Sequence, residues 1–541
     1  MPSGGLELLA FSDAQDVHFT INPSITYFNS VYKKHTKFMT ETVSFPFDTD
    51  SLDIDNETDL EINIPRYGDL LKSCYLRITL PDIYSGKLNG SNEYRFRWIR
   101  SLGHFLIKES ELFIGGRSIQ KFTGEYMNVY NDLHKTQEQK EILYECIGNT
   151  PSFHNPEKAS GQIYINTRGG NNEFVGIYPS SVPNSNTNGI YNSNSGDYTN
   201  GGESIVNKSN TFLTDVSTTY PSIEGKTLKI PLDFFFQSHI GNALPLIALE
   251  KMEIKLRLKL SALKDLYVSQ VNDNVTSSFI KYNSNHPENG IHYFLNNTDF
   301  LSGTDEGRKF ATLKIQPKLE CNYIYISKSE RRKFINGSFQ YLIEKPNSTR
   351  VQGVTTNHTF TLKSNNHIKE IIFVPKRNDA KNVNEWDNYT NWIPKNIPPY
   401  SYLGKYGPKM IDYTKNQLTY PGNISGLPRK QYLKKNMIES IEITLEGNIL
   451  ENKDYSYYEL QHTLEYFKQK PQDGIYVYSF SLDPTSSLLS GSFNASSQFI
   501  QANLELVEQD TNANYTYDID VYMVEYNIFS IENGIGGLYF S

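Results

Sequence analysis

Cysteine is scarce in this chain. Cys74, Cys146 and Cys321 are the only three in 541 residues. They are too few and too scattered for a disulfide framework or a paired-cysteine metal site, and they read as buried thiols in a reducing compartment. Long apolar runs are missing as well. Ala243–Leu249 (ALPLIAL) is among the longest, far below the ~20 residues that span a bilayer. Near the start, Leu6–Phe11 is short, interrupted by Glu7 and without a basic leader, so no secretory signal is expected. Pro2 stands where myristoylation needs glycine. An excess of positive charge is also absent: 52 Lys and Arg face 60 Asp and Glu, for a net charge of −8. A duplex-binding surface needs clustered cations, so no direct nucleic-acid partner is expected. The chain reads as a soluble protein made in a cytosol.

Catalytic motifs are missing in turn. Gly115-Gly116 and Gly534–Gly537 lack the Lys-Ser/Thr and the helix of a phosphate loop. There is no HExxH zinc helix and no GxSxG elbow. His35, His104, His134 and His239 stand alone and read as structural. The acidic run Asp48–Asp59 invites a calcium reading but fails the loop template. Leu52 occupies the fifth position counted from Asp48, and Thr58 replaces the turn glycine counted from Asp53. A solvated turn fits better. The expectation is therefore no catalytic residue, no metal site, no cofactor and no enzyme.

Tyrosine (38) and phenylalanine (30) are abundant while methionine (7) is not, which favours strands over helices. The length suits three or four ordinary domains or two large β domains. The stretch Ser329–Ile335 divides the chain, with Leu319–Ser327 before it and Phe339–Glu344 after it both reading as strands. Ser329 is the expected N-cap of a short charged helix, Glu330 suits its first turn, and Asn336-Gly337 its end.

Residues 1–25 read as an arm, and Ile25–Tyr32 as the first strand. Further strands are expected at Leu60–Ile64, Ser73–Leu80 and His104–Ile114, then a helical patch over Glu125–Tyr144. Long polar inserts at about 160–212, 268–308 and 377–430 read as exposed loops. The last contains Trp386, Tyr389 and Trp392. Sequons at Asn207, Asn274, Asn296, Asn347, Asn357, Asn388 and Asn423 are expected to carry no conventional glycan in a cytosolic chain.

The two halves echo one another. Ile107–Arg117 (IKESELFIGGR) matches Ile438–Asn448 (IESIEITLEGN), 331 positions on, and each precedes a Tyr-rich helical segment, Glu125–Tyr144 or Tyr457–Phe467. Ile230–Phe235 then matches Val477–Leu482 at an offset of 247, as does Ala243 with Ser490. The offsets differ by roughly the size of the polar insertion in the first half. Two similar β blocks with long loops suggest two β-sandwiches, plausibly jelly rolls.

Motifs in order along nearly the whole chain then become specific. They include Gly4-Gly5-Leu6, Asn22-Pro23, Val31–Thr36, Arg66–Leu70, Tyr75–Pro81, Ile114–Gly116, Gly124–Tyr126 and Ile147–Asn149. Ile230–Leu232, Ala243–Leu249, Glu330–Phe334, Ile475–Phe480, Ser490–Asn494 and Gly534–Leu538 follow. In these the sequence resembles the major capsid proteins of nucleocytoplasmic large DNA viruses, such as those of phycodnaviruses, iridoviruses and mimivirus. It departs from that pattern in the inserts and at Gln498, where Asp is expected.

The resemblance implies an all-β fold of two consecutive eight-stranded jelly-roll sandwiches, a double jelly roll, with long insertions and a few short helices. It implies a division into an arm (1–25), a first jelly roll (26–327), a connector (328–345) and a second jelly roll (346–541). It further implies a virion structural protein, assembled in the host cytoplasm, that forms homotrimeric pseudo-hexagonal capsomers tiling an icosahedral shell. Implied partners are neighbouring capsomers and minor capsid and penton proteins, with an internal membrane beneath the shell and no transmembrane anchor. A minor capsid paralogue is the near alternative. A carbohydrate-binding β-sandwich, stacking sugars on Trp386 and Trp392, is the remote one.

Overall fold

The computed structural model describes residues 4–10, 16–29, 32–85, 87–89, 92–154, 162–166, 172–176, 221–272, 279–284, 287–295, 312–393, 395, 410–412, 417–419, 434–486, 488–509 and 514–540. Sixteen of its strands fall into two sets of eight. The first set is β1 (Phe38–Pro46), β2 (Thr58–Asn63), β3 (Leu70–Thr79), β4 (Ile107–Ile114), β5 (Arg117–Thr123), β6 (Thr227–Pro231), β7 (Ile254–Leu260) and β8 (Lys318–Ile326). The second is β9 (Phe339–Val354), β10 (His358–Leu362), β11 (His367–Arg377), β12 (Ile438–Leu445), β13 (Asn448–Asp454), β14 (Tyr476–Ser479), β15 (Ile500–Leu506) and β16 (Tyr517–Glu532).

Each set makes two four-stranded antiparallel sheets. The orders are β1-β8-β3-β6 with β2-β7-β4-β5, and β9-β16-β11-β14 with β10-β15-β12-β13. Adding eight to every strand number of the first pair generates the second. The first strand pairs with the last in each set, Val43 opposite Cys321 and Thr349 opposite Val521. That is jelly-roll connectivity twice over.

The inner faces follow the two-residue strand period. Ile254, Leu256, Leu258 and Leu260 of β7 are buried while Lys255, Arg257 and Lys259 point away from the core. The repeat extends to details. Ile107 and Ile438 open the fourth strand of each set. The turns that follow, Gly115-Gly116 and Glu446-Gly447, have positive φ at both central residues (59° and 77°, 50° and 80°). That is the hairpin geometry whose twist matches the flanking strands, and it favours glycine at both positions. Leu244-Pro245 adds to the side of β3, and Phe493-Asn494 adds to β11 in the same way.

Several expectations need correction. Residues 16–29 form a helical turn, Asp16–Phe19, followed by bends, and β1 begins only at Phe38. Strand-like composition does not make a strand where no neighbour supplies pairing, and Ile25, Tyr27, Phe28 and Tyr32 are exposed. The helical patch is two helices, α1 (Gly124–His134) and α2 (Gln137–Ile147). Thr136 interrupts them by closing a capping box with Gln139. His104 belongs to a short helix, Leu102–Leu106, ahead of β4.

The connector helix α3 runs Lys328–Asn336, and its cap is Ser327, whose hydroxyl accepts from the Glu330 amide at 3.4 Å. Gly337 is extended, not left-handed. Arg331 holds α3 to the first lobe through Asp69 at 2.8 Å, and Phe334 stacks on Phe339 at 5.1 Å. β9 opens at Phe339, inside the stretch read as connector. Most of the three inserts lies outside the described residues. Asn207, Asn274, Asn296 and Asn423 lie there too.

Gly124 shows how closely helix and sheet approach. A Cβ there would sit 2.0 Å from the His104 carbonyl oxygen and 2.1 Å from that of Ile107, whereas Gly537 has open space around it. Gly124→Ala should therefore destabilise the protein by about 2 kcal/mol or more, and Gly537→Ala hardly at all. Thermal denaturation of the two variants checks this, and equal melting temperatures would refute it.

Candidate functional site: the seam between the lobes

The sheet β9-β16-β11-β14 is buried on both faces, and the strand alternation sorts its side chains into two cores. Ile519, Val521 and Met523 of β16 and Ile371 and Phe373 of β11 fill the second sandwich. Their neighbours Tyr522, Val524, Ile372 and Val374 join a cluster shared with the first lobe. Two-sided burial explains the near-continuous apolar runs in these strands. Across the seam Tyr126 of α1 meets Tyr522 with ring centroids 5.5 Å apart, and Phe235 meets Tyr341 at 6.0 Å and Phe529 at 5.6 Å. These tilted pairs add directional attraction to the area they bury.

Charge is embedded in this apolar contact. Glu344 of β9 accepts from the Tyr130 hydroxyl of α1 at 2.6 Å and from the Lys369 ammonium of β11 at 2.6 Å. Gln120 of β5 donates to the Glu344 carbonyl at 2.7 Å and accepts from the Phe235 amide at 2.8 Å. His134, stacked on Tyr130 at 3.9 Å, lies 3.2 Å from the fully buried Glu370 carboxylate. Farther along, Glu125 of α1 contacts Lys376, which also reaches Asp520 at 2.9 Å. Arg350 completes that group, 2.6 Å from Asp520 and 3.5 Å from Glu125. Asp132 takes Lys140 at 3.2 Å and the backbone amide of Gln472 from the second lobe.

Burial alone would raise the Glu344 carboxyl, yet Lys369 and His134 hold it below its ordinary 4.5. Burial alone would lower Lys369, and Glu344 and Glu370 keep it above its ordinary 10.5. Both shifts favour the ionised pair.

The chain after β11 closes the seam instead of standing in solvent. Asn384 donates to the Lys264 and Tyr267 carbonyls at 2.8 Å each, Trp386 Nε1 donates to the Asp265 carbonyl at 2.8 Å, and buried Tyr389 accepts from Asn128 at 3.2 Å. Trp386 and Trp392 are half-buried, so the aromatic platform a sugar would need is not displayed. Asn388 is buried, out of reach of a glycosyl transferase in the folded chain.

His104 is buried and bonds Asn128 at 3.2 Å, while His239 is at the surface and accepts from the Gly241 amide. Asp53 of the acidic run accepts from the amides of Asp55 and Asn56, closing a turn. Cys74 and Cys321 face each other as buried thiols, Sγ to Sγ 3.7 Å. Sequence reading missed Glu125, Glu344, Lys369, Lys376 and Asp520. The available signal was the unbroken Ile371–Val374 run flanked by Lys369-Glu370 and Lys376-Arg377, which marks a strand with no solvent face.

Two tandem jelly rolls held by a buried, charge-bearing seam define a double jelly-roll protein. Profile comparison narrows this further. The description "major capsid protein N-terminus" matches residues 26–296, and "large eukaryotic DNA virus major capsid protein" matches residues 330–537. The chain belongs to this family of viral major capsid proteins.

The major capsid protein of Phaeocystis pouchetii virus is 25% identical over 594 aligned residues, covering 100% of both chains. That of Paramecium bursaria Chlorella virus 1 is 23% identical over 99% of each. Capsid protein 1 of Acanthamoeba polyphaga mimivirus is 26% identical over 70% of this chain, which spans about half (49%) of that protein. Among solved structures, the PBCV-1 protein VP54 superposes with a TM-score of 0.59 at 19% identity, covering 95% of this chain and 100% of that one. The Faustovirus major capsid protein gives 0.58 at 12%, covering 97% and 96%. These structures share the fold.

The seam generates a pH prediction. The depressed Glu344 contributes stability that is present above pH 4.5 and fades as pH falls through its lower folded-state value; the raised Lys369 contributes below pH 10.5 and fades above it. Melting temperature should drop on acidification below about pH 4.5. Glu344→Gln should cost about 3 kcal/mol at neutral pH by leaving Lys369 unpaired, and should shrink that acid limb. An unchanged acid limb in the variant would refute the assignment.

Proposed function

We propose that this chain is the principal shell-building subunit of a large icosahedral DNA virus, three copies closing into a capsomer with a pseudo-hexagonal outline. The observation that carries this is the form of the internal seam. The β9-β16-β11-β14 face of the second lobe sits on the helices of the first, so the contact joins unlike surfaces. A head-to-tail contact leaves one sheet face and one helix face free, and repeated about an axis it closes into a ring. Six lobes from three chains make that ring, with threefold symmetry because the two lobes carry different inserts. Hexagonal blocks close-pack into flat facets.

We assign the arm to the inner side of the shell, against neighbouring or minor capsid and penton proteins. Leu6, Leu9, Phe19 and Phe28 are exposed on the chain as it stands and call for a covering partner. Assembly in the host cytoplasm around an internal membrane suits the scarcity of cysteine, and among the described residues no helix is long and apolar enough to cross a membrane. A minor capsid paralogue would share all these features, and copy number in purified particles separates the two.

Native mass measurement should give a stable species of three times 62.0 kDa. A stable monomer or dimer would overturn the reading. Deleting residues 2–20 should leave that species intact and impair particle assembly; loss of folding would place the arm in the core instead.

A further inference from the structure

The internal seam has an unmatched complement on the same chain. Its two components are the outer face of the sheet containing β16 and the helical face following β5. Their counterparts by repeat are the outer face of β1-β8-β3-β6 and the segment Tyr457–Phe467 following β13, which is wound in wide, π-type turns. Three positions related by the offset of 331 show the difference. Ile119, Val129 and Leu133 are 1%, 0% and 0% exposed, all within the apolar cluster that spans the lobes. Leu450, Leu460 and Leu464 are 38%, 47% and 73% exposed. Apolar side chains kept at these places without cover mark an interface that is open in the single chain.

The sheet side repeats the charge pattern with one member missing. In the internal seam a central acid of the last strand, Asp520, is clasped by Arg350 and Lys376, and Glu125 arrives from the opposing lobe to balance the second cation. In the first lobe a central acid of the last strand, Glu320, is clasped by Arg77 at 3.2 Å and Lys229 at 3.5 Å. Nothing from an opposing lobe balances the second cation there, so the group is one negative charge short. Glu125 sits at the start of α1; at the start of Tyr457–Phe467, Asp454 is exposed, held only by the Ser456 hydroxyl at 2.7 Å.

We propose that the seam recurs between chains. The Tyr457–Phe467 face of one copy, led by Leu460 and Leu464, docks on the outer face of β1-β8-β3-β6 of a second copy, and Asp454 completes the Arg77–Glu320–Lys229 group. The occupant is a second copy of this chain, because the covered version of each surface is already present within it. The inference rests on the trimeric reading and supplies its contact.

The test uses the full chain. Leu460→Asp with Leu464→Asp should convert the trimer to folded monomers, with at least a tenfold rise in dissociation constant by sedimentation and an unchanged far-UV spectrum. Asp454→Arg should weaken association, and adding Arg77→Asp should recover part of the loss. In a Cys146→Ser background, Leu464→Cys paired with Asn322→Cys should give covalent species ending at three chains with a short bismaleimide, and neither cysteine alone should. This arm decides the matter if the aspartate variants fail to fold. Variants that remain trimeric, or cysteines that cross-link no chains, overturn the surface while the trimer stands. A wild-type protein that is not trimeric overturns the functional reading itself.

Discussion

The structure depends on one sheet being buried on both sides. In β16 and β11 the two-residue period sends alternate side chains to separate cores, so that Val521 and Phe373 hold the second sandwich together while Tyr522 and Val374 hold the lobes together. A slip of one residue in either strand would exchange the two sets and spoil both cores at once. The second sandwich cannot be packed correctly without presenting the correct face to the first. Lobe folding and lobe docking are therefore one constraint. The chain after β11 adds to it, because Asn384, Trp386 and Tyr389 carry the second lobe's own backbone onto the first.

Within that seam the buried charges fix position more than they add stability. Replacing a buried ion pair by apolar residues is often neutral, whereas removing one partner costs about 3–5 kcal/mol. Glu344, Lys369 and Tyr130, and separately Glu125, Lys376, Asp520 and Arg350, thus penalise any sliding that would separate them. An apolar contact alone would tolerate such sliding. For a subunit that must present two lobes at a set spacing, intolerance to sliding is the useful property. α3 works in the same direction, tied through Arg331 to Asp69 and through Phe334 to Phe339.

What could be read from the sequence was what is local. The E-strand repeat, Ile107–Arg117 against Ile438–Asn448, was legible because a strand, a positive-φ turn and a returning strand leave a signature within a dozen residues. The family resemblance followed from the same kind of evidence spread along the chain. β1 was misplaced because FMTETVSFP, an exposed edge strand, has weak alternation, whereas Ile25–Tyr32 has strong β composition and no partner. The seam was illegible for another reason. Glu125, Lys376 and Asp520 are separated by hundreds of residues, and a buried charge is written with the same letter as a solvated one. Trp386 and Tyr389 were assigned to a polar loop by their neighbours' composition, although their own side chains settle in the interior.

The two copies of the repeat have diverged in the direction that solubility requires. The outer sheet face of the second lobe is covered as soon as the chain folds, and there Tyr522, Val524, Ile372 and Val374 could become apolar at no risk. The corresponding face of the first lobe has no cover within its own chain, and it carries Arg77, Lys229, Glu320 and Asn322. An apolar face of that size on a free chain would invite aggregation before any ordered assembly. Divergence between otherwise equivalent surfaces follows from which of them meets water first. That also explains why the second-lobe helical face keeps a few separate leucines and not the continuous apolar packing of α1: isolated exposed leucines are tolerated in water, and a contiguous patch is not.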